Sequence, residues 1–113
     1  VNTRNDNMSN SLKDLLKDAV KRANISRGVL ASQIVFDTNQ YLKAQLPSEA
    51  ARLVRAISYV GGVVHIACTH SAASQFVSER TEPLMQHLKS RHPSAPLERI
   101  QTRVVPHFPS SEL

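Results

Sequence analysis

The pair Gly61-Gly62 stands between "LVRAISYV" and "VVHIAC" and restricts this chain more than any other feature. Two glycines between β-branched runs make a two-residue hairpin loop, because the turn whose twist suits the strands needs positive φ at both central residues. The loop dictates the pairing. Val60 falls opposite Val63, Tyr59 opposite Val64 and Ile57 opposite Ile66. Side chains alternate along a strand, so Val64, Ile66 and Cys68 share an apolar face, and Ser58, His65, Ala67 and Thr69 take the other. By the same count Arg55 lands opposite Cys68 on the apolar side. A bulge or a frayed strand end near residue 55 removes that conflict.

Around the hairpin the apolar spacing is helical. Leu12, Leu15, Leu16, Ala19 and Val20 recur on one side of a segment whose other side carries Lys13, Asp14, Lys17, Asp18 and Lys21. Ser11 followed by Asp14 suits a helix start, and 24–28 ("NISRG") suits a stop. A second helix is expected over 29–45, with Leu30, Ile34 and Tyr41 beside Ala31, Val35 and Leu42, and with Phe36 and Leu46 thickening its apolar side; Pro47 ends it. "SEAAR" adds a single turn at 48–52, and strand follows over 53–59. After the hairpin, Ser71 caps a helix with Ala73, Phe76, Val77 and Arg80 on one side. Thr81 starts a further helix that tolerates Pro83 in its first turn and turns Leu84, Met85 and Leu88 inward. Pro93 and Pro96 extend the connection to a last strand over 99–105, which sets Ile100, Thr102 and Val104 against Arg99, Gln101 and Arg103.

The result is an α+β domain in the order α-α-β-β-α(α)-β, a small mixed sheet covered by helices on one face. The chain's 113 residues suit one core. A single domain is therefore expected over 11–105, between a flexible segment at 1–10 and a flexible tail at 106–113. Val1 reads as a translated alternative start codon, with Met8 as the other candidate start. No apolar run approaches the roughly 20 residues that cross a bilayer, and no signal-peptide order is present, so a cytoplasmic protein without a membrane partner is expected.

Chemistry is sparse along the chain. His65 and Cys68 point to opposite sides of one strand and cannot share a metal; Cys68 with His70 makes two ligands, and His87, His92 and His107 have no paired spacing with them. Cys68 on an apolar face reads as a small hydrophobe. Gly28, Gly61 and Gly62 are the only glycines, which rules out a glycine-rich phosphate loop. Neither an enzyme nor a cofactor or small-molecule substrate is expected. The net charge of +5 draws polyanions, nucleic acid first among them. Ser58, His65, Ala67, Thr69, Arg99, Gln101 and Arg103 would form the open sheet face, either a platform for a polyanion or a plain solvated surface.

Three stretches together, "LKDLLKDAVKRANIS", "AARLVRAISYVGGVVHIACTHSAASQF" and "LMQHLKSRHPSAPLERIQTRVV", resemble the DciA family, a bacterial domain-of-unknown-function group that contains replicative helicase loaders. The likeness covers residues 12–105 in a short, stand-alone form. Longer members carry a tryptophan before the hairpin and another after it; Phe36 and the Ala72-Ala73 pair stand in those places here.

The resemblance implies a KH-like fold and a part in replication initiation, with the replicative DNA helicase and single-stranded DNA as partners. The GxxG loop by which ordinary KH domains clamp a backbone is absent from the sequence, so other groups must meet DNA. The candidates for sequence-tolerant phosphate contacts are Lys13, Lys17, Lys21, Arg22 and Arg27 on or near the first helix, and Arg99 and Arg103 on the last strand. Few aromatic residues are free of the expected core, so base stacking should be sparse and binding weak and salt-sensitive. A KH-like RNA-binding protein and a pure protein-interaction module are the alternatives.

Overall fold

The structure, a computed structural model, describes residues 2–109; Val1 and the last part of the expected tail, 110–113, lie outside the described residues. The elements are α1 (Asn2–Gln45), α2 (Ser48–Ala51), β1 (Val54–Val60), β2 (Val63–Cys68), α3 (Ser71–Glu79), α4 (Thr81–Arg91) and β3 (Arg99–Val104). This is the expected α+β order, with one change of boundaries at the front. The helices expected at 11–24 and 29–45 are one helix, and the second helix of the series is the short "SEAA" turn. Asn24, Ser26 and Gly28 do not stop α1 because each costs a helix interior only about 1 kcal/mol or less, far below the cost of a proline. Propagation from a formed helix is also inexpensive, so Ser11 lies within α1 and the segment expected to be flexible at 1–10 is helical from Asn2. Pro47 then ends the helix, as expected.

The chain divides into two compact units, 1–30 and 31–113. The first contains only the first part of α1, and the stripe read as inward-facing is solvent-exposed: Leu12, Leu15, Leu16 and Val20 each keep about three fifths of their surface in water. An amphipathic helix buries its apolar side only against a second element, and residues 1–30 supply none.

The second unit holds the core. Ile34 and Leu42 of its helical segment, Leu46 just after it, Val54 and Ala56 of β1, Val64, Ile66 and Cys68 of β2, Ala73 and Val77 of α3, and Leu84 and Leu88 of α4 are buried together with Leu97. Phe36, expected to thicken the apolar side, is exposed; it is two residues from both Ile34 and Thr38, an offset that faces away from a helix's buried stripe. Thr38 takes a core position instead. Its hydroxyl is satisfied by donating to the Ile34 carbonyl at 2.7 Å.

The sheet runs β1-β2-β3, with β1 antiparallel and β3 parallel to the central β2. Gly61 and Gly62 have φ of 56° and 82°, as a type I′ hairpin requires. Pairing follows the turn through Tyr59↔Val64 and then shifts between Ala56 and Ser58. Ile57 is the bulged residue, so Ala56, not Ile57, meets Ile66; Arg55 meets Ala67, and Val54 meets Cys68. The bulge exchanges an arginine for a valine on the core side, which supplies its physical reason. On the outer edge of β1, Asn39 closes the open backbone: its Oδ1 accepts the Ala56 N–H at 2.8 Å and its Nδ2 donates to the Ala56 carbonyl at 3.2 Å.

The β3 strand is delivered by the 92–98 connection. The Glu98 N–H donates to the Gly62 carbonyl at 2.7 Å, and the Tyr59 hydroxyl donates to the Pro96 carbonyl. Burial, joined by the Glu98 charge, pushes the Tyr59 phenol up from its ordinary value, which keeps it a donor.

Candidate nucleic-acid interface

Register arranges the open face of the sheet into three rows. Val60, Val63 and Arg99 form the row nearest the hairpin; Ser58, His65 and Gln101 form the next; Arg55, Ala67 and Arg103 form the third. Strand spacing sets Arg55 and Arg103 about 10 Å apart across the small Ala67, and Arg99 about 13 Å from Arg103 along β3. No residue of these rows is acidic. The face therefore carries Arg55, Arg99 and Arg103 around a polar middle row, a pattern that attracts phosphates.

Both β3 candidates, Arg99 and Arg103, lie on this face and are exposed. Lys13, Lys17, Lys21, Arg22 and Arg27 lie on α1 in the first unit and are also exposed. Lys13, Lys17 and Lys21 form an i, i+4 row there, with Asp14 and Asp18 at pairing distance in the sequence.

Arg55 is the residue that sequence reasoning missed. The unbroken count from the hairpin gave it the apolar side; the signal was the conflict itself, since a charged residue counted into a core marks a bulge. The segment after β3 was missed as well. Val105, the end of the expected strand, donates its N–H to the Cys68 carbonyl at 2.8 Å, and within the tail expected to be loose from 106 the Arg55 guanidinium lies 4.6 Å from the centre of the Phe108 ring. Ala67, though on the open face, is buried. Beside it runs a groove of about 490 Å³, between the middle row and Val105, Pro106, His107 and Pro109.

On the core side, Cys68 is fully buried, and desolvation pushes its thiol up from the ordinary range, away from the reactive thiolate. His65 points to the open face and His70 precedes α3. Among the described residues no three His, Cys, Asp or Glu side chains gather as metal ligands would. Asp37 has a structural place: Arg91 Nε donates to it at 3.0 Å and His92 Nε2 at 2.7 Å. Burial works against its ionisation, but the His92 and Arg91 hydrogen bonds and charges outweigh that, and the carboxyl is held below its usual value.

A three-stranded mixed sheet with its helices makes this a small α+β domain, with arginines and no acid in the rows of its open face. The model of the family described as "Dna[CI] antecedent, DciA" matches residues 11–102, and the chain belongs to the DciA family. This is a family of DNA-replication accessory factors of the helicase-loader type, and is not known as an enzyme family. No curated protein matches the chain. Among the described residues, no helix is long and apolar enough to cross a membrane.

Proposed function

We propose that this protein is a non-enzymatic, cytoplasmic accessory factor of replication initiation that binds the replicative DNA helicase and single-stranded DNA and promotes helicase loading. Family membership supports the helicase as partner. The observation that carries the DNA contact is the acid-free sheet face with Arg99 and Arg103 exposed on one side of β3. The contact is electrostatic: the arginines neutralise phosphates, release counterions and read no base identity, so affinity is modest and falls with salt. The α1 cations Lys13, Lys17, Lys21, Arg22 and Arg27 add to the attraction for the polyanion.

Two titrations test this reading. Helicase from the source organism should bind the protein saturably, and single-stranded DNA should bind in a second series. Replacing Arg99 and Arg103 with alanine should weaken DNA binding and reduce the slope of log affinity against log salt by about 0.7 for each phosphate that is no longer neutralised. Unchanged titrations at low and moderate salt would remove the arginines from the interface. A preference for structured RNA over single-stranded DNA at matched ionic strength would replace DNA as the ligand.

A further inference from the structure

We propose that the groove between the middle row and residues 105–109 is a base-binding subsite, which takes one unstacked base of a single-stranded DNA whose phosphates lie on Arg103 and Arg99. The inference rests on the reading of the sheet face as a DNA contact, and adds to it a second mode of binding that phosphate attraction does not supply.

Size and lining carry the argument. At about 490 Å³ the groove falls within the range of small-ligand clefts, roughly 300–1,000 Å³. Ile57, Ile66, Ala67 and Val105 give it apolar surface, to which Pro106 and Pro109 add. An apolar slot of this kind receives the face of a base, and does so without regard to which base it is. Its polar members are Ser58, His65, Gln101, His107 and Arg103, with no carboxylate among the lining residues.

These polar side chains are available. His65, Gln101, Arg103 and His107 make no side-chain hydrogen bond or ion pair with any described residue. Gln101 offers a donor and an acceptor from one amide, and a neutral imidazole does the same from its two nitrogens. Every base edge has groups of both kinds, so these residues hold a base without selecting one. Arg103 lines the groove itself, and Arg99 lies further along the same strand face. A backbone leaving the groove toward the hairpin therefore passes from one guanidinium to the next. A free phosphate would gain nothing from the apolar surface, and an apolar peptide would leave the unpaired Arg103 and Gln101 unsatisfied; a nucleotide of a single strand uses both halves of the site.

The test compares two fluorescent DNA oligonucleotides of equal length with the full chain at one low salt concentration, one thymidine-rich and one made of abasic sites. The base-bearing strand should bind about tenfold more tightly. In a Gln101→Ala, His107→Ala variant, with circular dichroism matching the parent, the advantage should fall to about twofold or less while the salt slope stays unchanged, because both guanidiniums are retained. Equal affinity for the two strands, with a salt slope that Arg99→Ala and Arg103→Ala still flatten, would overturn the base subsite and leave the phosphate contact standing. Failure of both strands to bind would overturn the subsite together with the DNA reading. Tighter binding of the matching ribo-oligonucleotide would overturn the assignment to DNA.

Discussion

Asn39 stands at the point where helix and sheet depend on each other. Its amide supplies an acceptor and a donor to the Ala56 backbone, as a neighbouring strand would, and so covers the outer edge of β1 beside the bulge. Asn39→Ala should cost about 1–3 kcal/mol in denaturant unfolding, since it strands one N–H and one carbonyl. Asn39→Asp should recover only part of that, because a carboxylate accepts from the N–H and repels the carbonyl. Asp37, two residues earlier, ties α1 to the end of α4 through His92 and Arg91. Its carboxyl is depressed below the ordinary 3.8, so its contribution is complete above that value and is lost as pH falls through the lower folded value. Asp37→Asn should therefore be less stable than the parent near neutrality, by on the order of 1 kcal/mol, and the gap should narrow below about pH 3.8. Thermal melts at stepped pH measure this; a gap independent of pH would remove the ion pair from the account.

Among the elements, the hairpin and the long helix respond differently to glycine. Gly62 has φ +82°, and a Cβ there would meet Glu98 Cγ at 3.0 Å; Gly61 has φ +56° with open space around it. Both substitutions to alanine incur the left-handed backbone cost of about 1 kcal/mol, and Gly62→Ala must in addition displace the Glu98 side chain. Gly62→Ala should be the more destabilising of the two, by about 1 kcal/mol, in equilibrium unfolding. A reversed order would mean that the Glu98 side chain gives way at no cost. Ile57 has the corresponding role within β1. One extra residue turns Arg55 out of the core face, and the third cation of the open face exists only because of it.

For the whole molecule, burial is unequal along one continuous helix. Leu12, Leu15, Leu16, Val20, Ile25 and Val29 are exposed, whereas Ile34, Thr38 and Leu42 are buried. Amide hydrogen exchange should follow that division. Amides of 12–29 should exchange at least about tenfold faster than those of 34–42, because opening them exposes almost no new apolar surface. Uniform protection along α1 would show that the early stripe is covered in solution. The same division bears on binding, since the cations of α1 lie in the first unit and Arg99 and Arg103 in the second. The fall in salt slope on removing each group of cations, measured separately, reports how many phosphates that group neutralises.

Local chemistry was legible in the sequence. Glycines that accept positive φ set the hairpin, alternation set the faces of β2 and β3, Pro47 set the end of α1, and the pattern of apolar residues set the α+β order. A charged residue counted into the core signalled the bulge, though not which residue it would add. The rest depended on partners distant in the chain. Whether a helical stripe is buried depends on a second surface, so Leu12 and Ile34 look alike in sequence and differ in the fold. Whether 105–109 has a place on the sheet depends on Arg55 and Cys68 being there to meet it. The groove requires side chains from all three strands and the segment beyond them, a juxtaposition that only the tertiary structure decides, because no local preference of any one segment encodes the shape of the space between them.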